Sequence, residues 1–417
     1  MASQFSIAEG RKWQLPFLTI WIGQAFSLLG SQLVQFALIW YLTVSTESAT
    51  VLTTASLVGL LPNIFLSPFI GTWVDRLNRR AVMMIADASI AFFTAVLAIL
   101  FCFDQIAIWH IYVVLFLRAV GSSFHGTAMQ ASTSLMIPKE NLTRIQAINR
   151  TVDGGLSIFS APLGALLFSV VPMQAILSID VVTAILAIAP LAMIAIPQPA
   201  RAEVLQVTFF QDFVEGLSYL LSWKGLSIML LLGALVNFLI SPAFALLPIL
   251  VRNHLGGDAA EMAWMESALG IGIVLGGFIL SVWGGFKRQM YTAMLGLSGF
   301  GLAGIVIGVI PPMGLYIGIA AMLLLGISFT INSSPLFGML QAIITPEKQG
   351  RVFTLVGSVA NGVSPIGLLI AGPVADQFGT QFWFVLFGIS CIILAIVQMS
   401  VPIIRNVEDG PVVEQIT

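Results

Sequence analysis

Residues 67–80 read Ser-Pro-Phe-Ile-Gly-Thr-Trp-Val-Asp-Arg-Leu-Asn-Arg-Arg. A long apolar run stops here against one acidic and three basic residues, and a second apolar run begins at once. The flanking runs, 50–72 and 81–103, each exceed the roughly 20 residues that a helix needs to cross a bilayer. The charged stretch between them therefore reads as a tight loop at one membrane face.

The same reading extends along the chain. Further apolar runs cover 15–43, 109–136, 146–170 and 175–197, then 226–251, 260–283, 291–310, 314–342, 352–375 and 381–403. They are too long, and alternate too little, for barrel strands. The expected fold is an all-α polytopic membrane protein of twelve transmembrane helices. Composition agrees. Of 417 residues 58% are hydrophobic and only 9% charged, and the mean hydropathy is +1.00. A soluble domain carries about 25% charged residues, so this chain cannot cover a water-facing surface. Soluble enzymes, disordered chains and nucleic-acid binders are excluded, and a net charge of -2 points to no polyanionic partner.

Of the 17 lysines and arginines, all but Arg118 and Arg252 fall in or beside segments that are cytoplasmic if the N-terminus is inside. Basic residues concentrate on the cytoplasmic side of membrane proteins, so both termini are expected there. The first apolar run lacks a convincing cleavage pattern and reads as a span. Cys102 and Cys391 both sit in apolar runs and read as small core hydrophobes. No His, Cys or acidic residues have metal-ligand spacing.

The longest connection, residues 198–225, divides the spans six and six. Within it, Thr208 and Gln211 form a capping box before an apolar stripe of Phe210, Phe213, Val214, Leu217, Leu220 and Leu221, which predicts a helix lying on the membrane surface. The expected organisation is a six-helix bundle over 1–197, a linker over 198–225, a second bundle over 226–403 and a tail over 404–417. The halves repeat. Residues 67–80 align with "GGFILSVWGGFKRQ" at 276–289, and Ile137-Pro138-Lys139-Glu140 with Thr345-Pro346-Glu347-Lys348. A duplicated unit of this kind suits two bundles that rock about a central site. In the second copy Gly284 and Gly285 replace Asp75 and Arg76, so a latch built on this loop rests on the first half.

The spacing Gly71-x3-Asp75-Arg76-x2-Arg79-Arg80 resembles the loop signature of the major facilitator superfamily. Arg118-Ala-Val-Gly121 resembles its span-4 arginine motif. Ala161-Pro162-Leu163-Gly164 is similar to the span-5 motif of its antiporter-type drug exporters. Gly350-Arg351-Val352-Phe353 looks like the start of span 11 in the macrolide-efflux and siderophore-export branch, and the stretches 17–43 and 55–62 are most similar to the macrolide-efflux members. The resemblance implies two pseudo-symmetric six-helix bundles, a conformational latch at Gly71, Asp75, Arg76, Arg79 and Arg80, and Arg118 in the proton-coupling machinery. It also implies that Pro162 and Gly164 form a stiff bend limiting leakage.

An unpaired charge at the depth of Arg118 costs a few kcal/mol, so it must face a cavity or a carboxylate. Four membrane-depth carboxylates are candidate proton carriers: Asp87, Asp153, Asp180 and Glu266. Burial raises a carboxylate's pKa, which suits it to proton exchange near neutral pH. Asp153 and Glu266 rank first. Glu266 lies 18 residues before Gly284, about 27 Å along a helix. Asp87 reads as a structural partner of the loop arginines, and Asp180 as a packing feature. His125 reads as a hydrogen-bonded core histidine, and His110 and His254 as solvated. Gln24 and Asn237, on pseudo-equivalent spans, offer uncharged contacts to a substrate cavity.

The expected function is drug/proton antiport: export of lipophilic or amphipathic drugs, macrolide-like compounds favoured, from a plasma-membrane monomer. No nucleotide-binding loop, cofactor or metal site is read, and no catalytic residues; lipid, substrate and protons are the expected partners. Export of a siderophore or other metabolite is the alternative, and a transporter-like sensor the remote one.

Overall fold

The computed structural model describes residues 13–196, 218, 223–344 and 346–409. The proposed surface helix at 208–221 falls outside them, save Ser218. Every regular element among the described residues is helical. In chain order these are α1 (Gln14–Thr46), α2 (Ala49–Arg76), α3 (Arg79–Cys102), α4 (Ile108–Met136), α5 (Lys139–Val170) and α6 (Met173–Met193). Then come α7 (Lys224–Ile249), extended by one π-helical turn at Leu250–His254, α8 (Ala259–Trp283), α9 (Gln289–Gly308) and α10 (Leu315–Ile343). The chain continues with α11 (Pro346–Gly362), α12 (Ser364–Phe378), α13 (Thr380–Ser400) and the short α14 (Pro402–Arg405).

Among the described residues 11 helical stretches are long and apolar enough to span a membrane. The remaining expected span is α5, whose apolar part is the shorter Gly154–Val170. The expected span 352–375 is one of these stretches, Leu355–Phe378, with a single-residue interruption. It breaks at Val363 between α11 and α12, where Pro365 falls in the first turn of the new helix, a position that needs no intrahelical N–H. Local chemistry sets the other ends. The Asn78 side chain accepts from the Ala81 N–H at 3.2 Å and starts α3. Asp258 starts α8 by accepting from the Ala260 N–H at 2.7 Å. Gly284 ends α8 at φ 76°, the left-handed conformation that glycine adopts without strain.

The chain forms two compact units. The first contains residues 1–42 and 58–205, and the second residues 43–57 and 206–417. Residues 43–57, the end of α1 and the start of α2, group with the second unit.

In the first unit Ile20, Ile70, Val74, Met83, Ala128 and Leu191 form a buried apolar cluster. Phe17, Ile137 and Ile145 form another. In the second unit glycines add close helix contacts to a buried apolar core. A Cβ on Gly272 would lie 2.2 Å from the Leu323 carbonyl oxygen, and one on Gly296 2.3 Å from the Asn332 nitrogen. Backbones of α8, α9 and α10 therefore approach more closely than any side chain permits, the usual means by which helices associate in lipid. Phe300 meets Phe387 edge-on at 5.2 Å beside this seam.

Candidate functional site

A cavity of about 420 Å³ lies inside the first unit, between residues of α1, α3, α4 and α5. Its walls mix Trp21, Leu28, Ile90 and Met129 with Gln24, Ser31, Gln130 and Asn149. One carboxylate, Asp87, and one imidazole, His125, face it. That mixture is typical of a small-molecule pocket: apolar walls and a few polar groups that fix orientation. The Gln24 amide donates to Asp87 Oδ2 at 3.0 Å. His125 Nε2 lies 3.6 Å from Asp87 Oδ1, and this buried nitrogen has no hydrogen-bond partner among the described residues. A small closure, or a proton on Nε2, converts the gap into a charged hydrogen bond. Trp21 Nε1 donates to Asn149 Oδ1 at 2.6 Å and joins α1 to α5 on another wall.

This corrects the reading of Asp87 as a partner of the loop arginines. Its neighbours on α1 and α4 are far away in sequence, and no local spacing announces them. The loop arginines bind elsewhere. Arg79 pairs with Asp75 at 3.0 Å and donates to the Ala131 carbonyl at 2.8 Å. Arg80 donates to the Ala192 carbonyl. The Asp75 side chain is 69% exposed, and a Cβ on Gly71 would meet nothing within 4 Å. The close approach that a glycine permits is thus unused at Gly71. It is used at Gly164, where a Cβ would lie 2.9 Å from the Phe36 ring, next to the in-helix Pro162.

Arg118 meets a carboxylate, and that carboxylate is Asp180. The pair is fully buried, with Asp180 at 0% and Arg118 at 7% side-chain exposure. Asp180 also accepts from Ser31 Oγ at 2.8 Å and Thr94 Oγ1 at 3.1 Å. Arg118 donates to Thr94 Oγ1, and to the Ser31 carbonyl at 3.3 Å. Ser31 lines the cavity as well, so one residue links the ion pair to the cavity wall. Asp180 is therefore more than packing.

The other expected residues are dispersed. Glu266 lies on α8 in the second unit, half-buried. Asp153 lies on α5, but its side chain is outside the described residues. Asn237 donates to the Gly233 carbonyl on its own helix at 3.1 Å and lines no part of this cavity. Cys102 is exposed, unlike the buried Cys391. His254 is not merely solvated: its ring nitrogens meet the Ile310 carbonyl at 2.7 Å and the Gln381 amide at 2.6 Å. Sequence reasoning missed Asp376. Its carboxylate binds the start of α2, and the signal was the spacing Gly372-x3-Asp376, which repeats Gly71-x3-Asp75. Among the described residues, no three His, Cys, Asp or Glu side chains form a metal site.

A many-helix membrane chain with a largely apolar cavity in one unit and a buried ion pair joining two of that unit's helices has the build of a transporter. The profile of the family described as transmembrane secretion effector matches residues 13–411, and the chain belongs to that family, a branch of the major facilitator superfamily. It is 35% identical over 397 residues to macrolide efflux protein A of Streptococcus pyogenes, covering 95% of this chain and 98% of that one. It is 24% identical over 408 residues to the multidrug efflux pump Tap of Mycolicibacterium fortuitum, covering 94% and 97%. The fold also matches the crystal structure of the nucleoside transporter NupG, with a TM-score of 0.72 at 14% identity, over 92% and 98% of the two chains. The chain is a multi-pass membrane transporter and not an enzyme.

Proposed function

We propose that the chain exports lipophilic or amphipathic drugs, macrolides among them, across the plasma membrane by proton antiport with alternating access. Its termini lie in the cytoplasm in this reading. The near full-length likeness to macrolide efflux protein A supports the direction and the substrate class. The observation that carries the coupling is the cavity in which Asp87 stands 3.6 Å from His125. A carboxylate and an imidazole at that separation share one proton or hold two, and a cavity open to alternate faces of the membrane delivers and removes it. Gln24 positions the carboxylate, and Trp21 and Met129 supply apolar contact to the substrate. A second coupling acid is Glu266, for which no ion pair or hydrogen bond occurs among the described residues.

The test is efflux of radiolabelled erythromycin from pump-deficient cells expressing the chain. Expression is expected to lower accumulation, and a protonophore to abolish the effect. Asp87→Asn is expected to lose uphill efflux while retaining exchange of labelled for unlabelled drug across vesicles. Unchanged accumulation sinks the substrate reading. Full uphill efflux by Asp87→Asn removes Asp87 as the coupling acid, and the same result with Glu266→Gln removes Glu266.

A further inference from the structure

At the start of α2 the Asp376 carboxylate accepts four hydrogen bonds. They come from the Ala49 N–H at 2.7 Å, the Thr50 N–H at 3.1 Å, the Thr50 hydroxyl at 2.6 Å and the Ser48 hydroxyl at 3.2 Å. The first N–H groups of a helix have no partner within it and carry partial positive charge. A carboxylate there satisfies two of them and complements the dipole. One turn earlier on α12, Gly372 brings the backbones together: a Cβ would lie 2.3 Å from Thr53 Oγ1 and 2.7 Å from the Thr50 Cα. Residues 49–57 of α2 group with the second unit, and residues 58–76 of the same helix with the first. Helix α2 is thus one continuous rod with its ends in different units.

We propose that Asp376 is a reversible clasp on α2, closed in this conformation and released once in every transport cycle. This rests on the reading of the chain as an alternating-access transporter. The contact is made for release. Asp376 is exposed, so water replaces its hydrogen bonds at little cost. The Gly-x3-Asp spacing occurs at the ends of both α2 and α12. At Gly71-x3-Asp75 the carboxylate bonds to Arg79 of its own loop and the glycine faces open space. At Gly372-x3-Asp376 the carboxylate and the glycine both hold another helix. We read the two copies as alternates: when the start of α2 leaves α12, Asp376 lets go.

The test needs no substrate, so its failure is separable from failure of the drug reading. In a chain with Cys102 and Cys391 replaced by serine, a single Ser122→Cys on the cavity wall is labelled with a membrane-impermeant maleimide from each face. Asp376→Ala is expected to raise labelling from the face where α2 begins by roughly threefold to tenfold, the range for losing exposed charge-assisted hydrogen bonds. Asp376→Asn, which keeps one acceptor oxygen, is expected to fall between. If Asp376→Ala does not accumulate, Asp376→Asn and Thr50→Val make the same comparison. In parallel, Ser48→Cys with Asp376→Cys is joined by a short thiol crosslinker, which is expected to stop labelling of the cavity-wall thiol from that face until it is cleaved. Parent-like labelling from both faces in the Asp376 variants overturns the clasp. So does a crosslinked protein that labels as the uncrosslinked one does.

Discussion

Replacing Asp180 with alanine leaves the Arg118 guanidinium buried without its carboxylate and removes the acceptor of Ser31 Oγ and Thr94 Oγ1. Breaking a buried pair from one side costs about 3–5 kcal/mol, because the surviving charge is uncompensated. For a unit of this size each kcal/mol moves the unfolding midpoint by about 2–4 °C, so the single variant should lose roughly 6–20 °C. Removing both charges is different. Asp180→Leu with Arg118→Met leaves no orphaned charge, and such replacements are often neutral or stabilising by about 1–4 kcal/mol. The double variant should therefore unfold well above either single one. Thr94→Ala removes one hydroxyl and should cost only about 1 kcal/mol. Midpoints are read by size-exclusion chromatography after heating detergent-solubilised protein. Additive losses in the double variant would refute the claim that the charges compensate one another. Transport assayed alongside separates the roles: a double variant with restored stability but no uphill transport assigns the pair to coupling.

Gly272→Ala drives a methyl group into the Leu323 carbonyl and should cost about 1–3 kcal/mol by overpacking; Gly277→Ala, with nothing within 4 Å, is the neutral control in the same thermal assay. Asp258→Ala removes the cap of α8 and should cost about 1 kcal/mol. The Asp258 carboxyl is held below its ordinary pKa by its hydrogen bond with the Glu261 side chain, helped by the Ala260 and Glu261 N–H groups. Its folded pKa being the lower, its stabilisation is present above the unfolded value and lost as pH falls through the folded one. Midpoints of parent and Asp258→Ala, measured across an acid series, should therefore converge below the usual carboxylate range. Trp21→Phe keeps the apolar wall but removes the bond to Asn149; it should weaken drug binding less than Trp21→Ala, measured by equilibrium binding.

The spans were legible because each is an apolar run long enough to leave no alternative in lipid. The loop at 71–80 was legible because it concentrates charge where little is present. The pairings were not. Gln24 and Asp87 are 63 residues apart, and Arg118 and Asp180 are 62 apart; which helix faces which is set by packing of nearly uniform apolar surfaces. Hydrophobic periodicity says little when both lipid and neighbouring helices are apolar. The break at Val363 was equally hidden, because Pro365 can sit inside a span or open a new helix. Asp376 was overlooked because it lies at a span end, where a carboxylate resembles an ordinary solvated residue.

The glycine seam has a consequence for how such a protein can change its drug range. At Gly272, Gly296 and Gly326 the nearest neighbours of an added methyl are backbone atoms, which cannot turn aside. Mutations there are filtered out by folding before any substrate is offered. The cavity walls of the first unit are built from large and polar residues of α1, α3, α4 and α5, Gly126 being their one glycine, and exchange of a side chain there does not force a methyl group into a backbone. Resistance that broadens under drug selection should therefore be written in α1, α4 and α5, with the seam left as the silent, unchanging half of the record.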